Sequence, residues 1–268
     1  MNTDSTSSPC IGVFDSGVGG LSILRALHHR LASTSMIYVG DVANAPYGER
    51  AASEVIARSM RIVEWLAGQG ATMIVVACNT ATVLAIEALR ARWPTLVFVG
   101  VEPGVKPAAA RSCTRRIAVM VTAATATSGR LQHLITRYAS DAHVHVQTCI
   151  GLADAIERGA LDGPALFDVL RPFCAEVVAA NVDTVVLGCT HYPFVEESIR
   201  ALLGPDITLI DTASAIADRA ASLWEQTPAV FEPEPHLRAM STGTSETMRV
   251  LLRRCPGLED IEIESLDA

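Results

Sequence analysis

Two stretches of this chain end in the same way. Ile74-Val75-Val76-Ala77 runs into Cys78, and Val185-Val186-Leu187-Gly188 runs into Cys189. Each apolar run stops at a small residue, delivers one thiol, and passes into polar residues suited to opening a helix. A short continuous apolar run of this kind reads as a strand buried on both faces, which calls for a parallel sheet with helices above and below. A chain that presents a cysteine twice by one device is constrained to contain that device twice.

The surrounding pattern repeats with it. Strands are expected at 11–14, 36–39, 73–77 and 96–101, with helices from about 21, over 53–67 and over 82–93, and with Asp15-Ser16-Gly17-Val18-Gly19-Gly20 and Pro46-Tyr47-Gly48 as turns. The order then restarts, with strands at 117–121, 144–147, 184–187 and 207–210 and a helix over 165–180. Ile11 and Ile117 lie 106 residues apart, Met36 and Val144 lie 108 apart, and Cys78 and Cys189 lie 111 apart. The near-equal spacing predicts an α/β fold of two pseudo-symmetric, doubly wound domains with mainly parallel sheets and an active site in the cleft between them. After Asp211 come a helix through Trp224, a passage with Pro228, Pro233 and Pro235, a strand near 239–241 and a helix over 245–254. This unmatched tail is expected to pack back on the first half. Residues 1–101 with 211–268 then form a discontinuous first domain, and residues 102–210 the second.

Half of the 268 residues are hydrophobic, enough for a sizeable core, and the net charge is -8. An acidic chain without a basic run lacks the face that replaces counterions on a phosphate backbone, so no nucleic acid is expected as a partner. No apolar run approaches the roughly 20 residues that span a bilayer, and the first nine residues are polar, so no membrane association and a cytoplasmic location are expected. The cysteines number seven, an odd set without CxxC spacing, and read as reduced thiols. A small-molecule substrate is the partner this composition favours.

Cys78 and Cys189 can carry chemistry as a pair. Thiolates are bases, and a helix N-terminus lowers a thiol pKa; Asn79 or Thr80 and Thr190 stand where caps would. Two bases on opposite sides of one carbon suit a racemase: one removes the α proton and the other returns a proton to the opposite face. Asp15 and His191, one per half, are candidate proton partners. Ser16, Asn79, Thr80, Thr122, Thr125 and Thr190, with backbone N–H groups, can hold carboxylates through neutral donors, since no lysine or arginine stands inside the motifs. Taken singly, a cysteine after a buried strand is usually an inert core residue, His191 a structural histidine, Asp15 a helix cap, and Tyr47 a turn filler. Two other readings stay open. Gly17-x-Gly19-x-x-Ser22, with Asp41 after the next strand, is an imperfect dinucleotide fingerprint, and Cys78, Cys189, His191 and Asp15 are four conceivable zinc ligands.

The motifs together, from Phe14-Asp15-Ser16-Gly17 through Pro46-Tyr47-Gly48, Ala77-Cys78-Asn79-Thr80 and Gly188-Cys189-Thr190-His191 to Met240-Ser241-Thr242-Gly243, resemble those of the glutamate racemases in the cofactor-independent aspartate/glutamate racemase superfamily. The resemblance covers nearly the whole chain. It implies interconversion of L- and D-glutamate without a cofactor or metal, supply of D-glutamate for peptidoglycan, and a homodimer. It implies that Cys78 deprotonates D-glutamate with Asp15 as helper and Cys189 deprotonates L-glutamate with His191. Glu157 is a further catalytic auxiliary by the same resemblance. Ser16, Pro46, Tyr47, Gly48, Asn79, Thr80 and Thr190, with Asp15 and His191, are expected to line the substrate site. The chain departs from the family pattern at Val121, before Thr122, where relatives often have glycine, and at Ile150, after Cys149, where proline is usual.

Overall fold

The computed structural model describes residues 9–227, 235–244 and 246–267. The first eight residues, Pro228, Pro233 and Ser245 lie outside that description. In chain order the first series is β1 (Cys10–Asp15), α1 (Leu21–Arg30), β2 (Met36–Gly40), α2 (Ala52–Gly68), β3 (Ala71–Val76), α3 (Asn79–Arg92) and β4 (Val97–Gly100). Then follow α4 (Val105–Arg111), β5 (Arg116–Val121), α5 (Ala123–Ala126), α6 (Gly129–Tyr138), β6 (His143–Thr148), α7 (Leu152–Glu157), α8 (Gly163–Ala179), β7 (Thr184–Leu187), α9 (Glu196–Leu203) and β8 (Thr208–Ile210). The chain closes with α10 (Ala213–Trp224), β9 (Leu237–Ser241), α11 (Glu246–Arg253) and β10 (Ile263–Ser265).

These strands form two sheets, ordered β10-β9-β2-β1-β3-β4 and β6-β5-β7-β8, and every pairing in both is parallel. The second sheet reproduces the β2-β1-β3-β4 core of the first. In each, the chain leaves the central strand in two directions, so loops part at a switch point beyond its carboxyl end, where an open α/β sheet binds ligands. Composition follows position. β1, β2 and β7 are buried at every residue, as strands covered on both faces must be, whereas the edge strand β6 alternates histidine with valine and is largely half-exposed. The helices left unread in the sequence, such as α6 and α9, are short and amphipathic with little apolar content.

One buried cluster runs from Ile11, Val13 and Leu24 through Met120 and Val185 to Leu170 and Tyr192, so the halves share core, while separate clusters back the far face of each sheet. Truncating Leu24, which is fully buried, costs about 2–5 kcal/mol by lost burial and the cavity left behind. The chain crosses between sheets twice, after β4 and after β8. The crossings lie side by side, since a Cβ built on Gly104 would stand 3.1 Å from both Ile210 and Thr212 side chains. α4 packs on β5 and β7, and α10 returns to pack on α1 and β4.

Candidate active site

Both cysteines stand just past the carboxyl ends of equivalent strands, β3 and β7, but their local settings differ. Cys78 is itself the N-cap of α3, its sulfur accepting from the Ala81 N–H at 3.4 Å. The expectation that Asn79 or Thr80 would cap is therefore corrected: α3 already includes both, three residues before the expected start at 82. Cys189 heads no helix directly. A turn through the Cys189 carbonyl leads to a 3-10 segment, Tyr192–Val195, and α9 begins at Glu196. Pro193 stands in the first turn of that segment, where a missing N–H leaves no bond unmade. The halves match in sheet order and diverge at the thiols.

Around Cys189 the polar side chains form a chain. His191 Nδ1 lies 3.6 Å from the Cys189 sulfur, and its Nε2 lies 2.6 Å from Glu157 Oε1, which also accepts the Val18 N–H at 2.8 Å. Burial pulls the His191 pKa down, but hydrogen bonds to Cys189 and Glu157 outweigh it and hold the ring well above the usual 6.5. The same two partners favour the charged form of the ring, in which both nitrogens carry protons. Asp15, at the end of β1, accepts the N–H groups of Gly17 at 3.2 Å and Gly20 at 2.9 Å through Oδ2, while its buried Oδ1 has no hydrogen-bond partner among the described residues. Burial raises its pKa, His191 opposes the rise, and Glu157 adds to it.

The Cys78 side has no imidazole beside its sulfur and lies near the Asp15 charge. Its thiol donates weakly to Ser16 Oγ at 3.8 Å. Burial, then the Asp15 charge, push its pKa well above 9.0, with the Cys189 charge adding to the rise and the Ala81 amide opposing it. The sequence expectation of a thiol acidified by a helix start is overturned here, because one sulfur-bound N–H does not offset removal from water. Each thiol is 5% exposed.

The glycines of the β1 loop are explained by contact rather than by a nucleotide. A Cβ on Gly17 would lie 1.9 Å from Glu157 Oε1, and one on Gly19 would lie 2.3 Å from His191 Nδ1 and 2.7 Å from Thr190 Oγ1. Their bare backbone lets the second half reach the first. Asp41 is fully buried with its carboxylate committed to Arg58, Tyr47, Asn44 and Thr242, so it is in no position to meet a ribose, and the dinucleotide reading loses both its parts. The expected zinc set does not assemble either. Among the described residues, the ligand atoms that converge, within 4.8 Å of one another, are those of Asp15, Glu157 and His191, with neither sulfur among them. Two carboxylates against an imidazole already bonded to one of them suit proton handling as well as they suit a cation.

The remaining residues line a closed seam. Thr80 Oγ1 and Thr122 Oγ1 meet at 3.0 Å from opposite halves, and Thr122 Oγ1 lies 3.1 Å from Thr125 Oγ1 while capping α5. Asn79 Nδ2 reaches the Val101 carbonyl at 3.5 Å, beside the first crossing. The Thr190 carbonyl takes the Ser22 hydroxyl at 3.1 Å. Pro46, after a cis peptide bond, and Gly48 line a crevice with Thr122, Cys149 and Ile150, whose volume of about 20 Å³ holds a single water and no amino acid. Roomier pockets of 390 and 670 Å³ open elsewhere, away from the thiols. Tyr47 is buried with its hydroxyl donated to Asp41. At the departures, a Val121 methyl packs where a Cβ on Gly188 would fall, and Ile150 is 62% exposed at the crevice mouth. Sequence reading did not single out Arg58 or Thr242 for the site, nor Tyr38, whose hydroxyl donates to the Gly17 carbonyl at 2.6 Å. No spacing signal links these residues to the loops they hold.

Comparison with known proteins adds an independent line. The family model described as Asp/Glu/Hydantoin racemase matches residues 11–220. A glutamate racemase of Ectopseudomonas mendocina is 42% identical over 243 residues, 90% of this chain and 92% of that protein. Among solved structures, the glutamate racemase isoform RacE1 of Bacillus anthracis superposes with a TM-score of 0.86 at 29% identity, covering 97% of this chain and 98% of that one. The Escherichia coli glutamate racemase, solved with L-glutamate and the activator UDP-MurNAc-Ala, gives 0.85 at 30% identity over 96% and 98%.

Proposed function

This chain belongs to the Asp/Glu/hydantoin racemase family, and from that membership and the paired thiols we infer a two-base interconversion of L- and D-glutamate. The activity is that of a cofactor-independent amino-acid isomerase acting on glutamate, and the family implies a part in supplying D-glutamate for peptidoglycan. Its partner is a small-molecule substrate.

The observation that carries the two-base reading is the pair of buried cysteines at equivalent strand ends, Cys78 near the Asp15 charge and Cys189 beside the His191 ring. Cys189 sits 3.6 Å from the His191 ring, whose charged form is the one its neighbours favour. Cys78 sits beside carboxylate charge and keeps its proton. The resting pair is therefore matched to L-glutamate: the Cys189 thiolate takes the α proton, and the Cys78 thiol gives its own to the opposite face. After one turnover Cys189 carries the proton and Cys78 the negative charge, and the enzyme is set for D-glutamate. Glu157 holds His191 in orientation. Asp15, within 4.8 Å of both Glu157 and His191, couples to Cys78 through charge, and Ser16 lies between that loop and the Cys78 sulfur. Thr80, Thr122, Thr125, Asn79, Thr190 and the Pro46-Tyr47-Gly48 loop are the walls that receive the substrate once the seam parts.

The proposed domain division, residues 1–101 with 211–268 and residues 102–210, is supported by the two crossings between the sheets. A homodimer is the assembly that family analogy supports, and light scattering at twice the monomer mass tests it. Among the described residues no helix is long and apolar enough to cross a membrane, and the cytoplasm is the proposed location. The activity is tested by incubating the protein with a panel of enantiopure amino acids and following loss of optical activity. Glutamate alone should racemise rapidly; equal rates on aspartate, or none on glutamate, would overturn the assignment.

A further inference from the structure

We propose that Asp41 is a positioning residue for the reaction, holding the loop at 41–50 in the one geometry that meets Thr122 across the seam. The inference rests on the reading of that seam as the racemase site. Asp41 follows β2, and its N–H donates to the Asp15 carbonyl at 3.0 Å, so it is anchored to the strand end that carries Asp15. Its carboxylate is fully buried and gathers donors from three parts of the chain. Arg58 of α2 supplies a fork, Nε at 2.9 Å and Nη2 at 2.8 Å; Tyr47 and Asn44 of the loop donate at 2.5 and 3.0 Å; Thr242, after β9, donates at 2.8 Å. Five bonds saturate a carboxylate, which has about four lone-pair sites, so Asp41 has nothing left for a ligand and acts through what it holds.

The loop has few other anchors of its own. The Val42–Asn44 turn buries no residue, and Tyr47 is the one buried residue of the Tyr47–Glu49 turn. Arg50 Nε ties back to the Asn44 carbonyl at 2.5 Å, within the same loop. Across the seam the fit is close: a Cβ on Gly48 would stand 3.1 Å from Thr122 Cβ. A shift of a few tenths of an ångström in the loop changes what the opposite wall presents. Removing an unpaired carboxylate from water is costly, and the Arg58 fork, 11% exposed, compensates for it. The result is a rigid brace tying α2 and the turn after β9 to one lip of the cleft.

The test uses the full chain with Asp41→Asn, Tyr47→Phe and Arg58→Lys. Each is measured for kcat and KM with L- and D-glutamate, for thermal unfolding, and for amide exchange over 41–50. Asp41→Asn and Tyr47→Phe should raise KM about tenfold or more in both directions, with a smaller fall in kcat and faster exchange confined to the loop. Arg58→Lys should fall between them and the native protein, because an ammonium restores the charge and not the fork. The double variant Asp41→Asn with Tyr47→Phe should be no worse than Asp41→Asn alone. KM within twofold of native in these variants, with only the unfolding temperature lowered, would reduce Asp41 to a stabilising residue and overturn the proposal. Should Asp41→Asn fail to fold, Tyr47→Phe, which removes one hydroxyl from a retained ring, decides. If the native protein does not racemise glutamate, the functional reading fails, while the exchange comparison still decides whether Asp41 holds the loop.

Discussion

A single oxygen of Glu157 takes a bond from the His191 ring and another from the Val18 amide, which joins the two halves through one side chain. Glu157→Gln loses a buried charge-assisted bond, so kcat/KM should fall about tenfold to a hundredfold. Because the enantiomers have equal free energy in water, the fall must be the same in both directions, and kinetics with each enantiomer checks it. The raised His191 pKa also fixes a stability slope. Its folded value lies above the unfolded 6.5, so its contribution is complete below 6.5 and is lost as pH climbs through the folded value. Urea unfolding from pH 6 into the alkaline range should show this decline, and Glu157→Gln should flatten it. Asp15 gives the contrary case. Its folded pKa is raised above 3.8, so its charge opposes folding at neutral pH. Asp15→Asn should lose most activity yet unfold at no lower urea than the native protein at pH 7, the comparison turning against the variant as pH falls toward 4. The cysteines, Asp15 and His191 were legible as residues because their motifs recur. Glu157 entered only by family likeness, for its partner is 34 residues away on another element and no periodicity pairs them.

Between the elements, glycine decides which approaches are possible. Gly17→Ala places a Cβ on the Glu157 carboxylate, and should displace that side chain and cost activity at least as heavily as Glu157→Gln. Gly68→Ala, at the last position of α2 with nothing within 4 Å of the new methyl, should leave kinetics unchanged and stabilise by up to about 0.5–1 kcal/mol in a urea titration. The central strands were legible because burial on both faces forces them to be continuously apolar. Edge strand β10, with three largely exposed residues, and the short helices α4, α7 and α9 carry no such signature. The helix after Cys189 was misread because the polar residues that follow resemble those after Cys78, while the chain makes a 3-10 segment there before α9 begins at Glu196.

For the molecule as a whole, the closed seam requires motion. The crevice beside Thr122, about 20 Å³, cannot admit glutamate, so binding there should require the halves to part, and the side-by-side crossings near Gly104 and Thr212 are where such a motion would pivot. Replacing Thr80 and Thr122, whose hydroxyls touch, by cysteine should give a disulfide whose oxidation stops the turnover that the reduced double variant retains. An oxidised variant that keeps native activity would refute the need for opening. The duplication itself was legible from the spacing of like motifs, whereas closure was not, because contacts such as Thr80 with Thr122 depend on how two sheets face one another. The central claim is that two thiols act on opposite faces of one carbon, and early-time turnover of enantiopure L-glutamate in D₂O tests it most directly. Product D-glutamate should carry deuterium at the α carbon while unreacted L-glutamate keeps its proton. Deuterium appearing in the remaining substrate as fast as in the product, or product retaining the original proton, would contradict it.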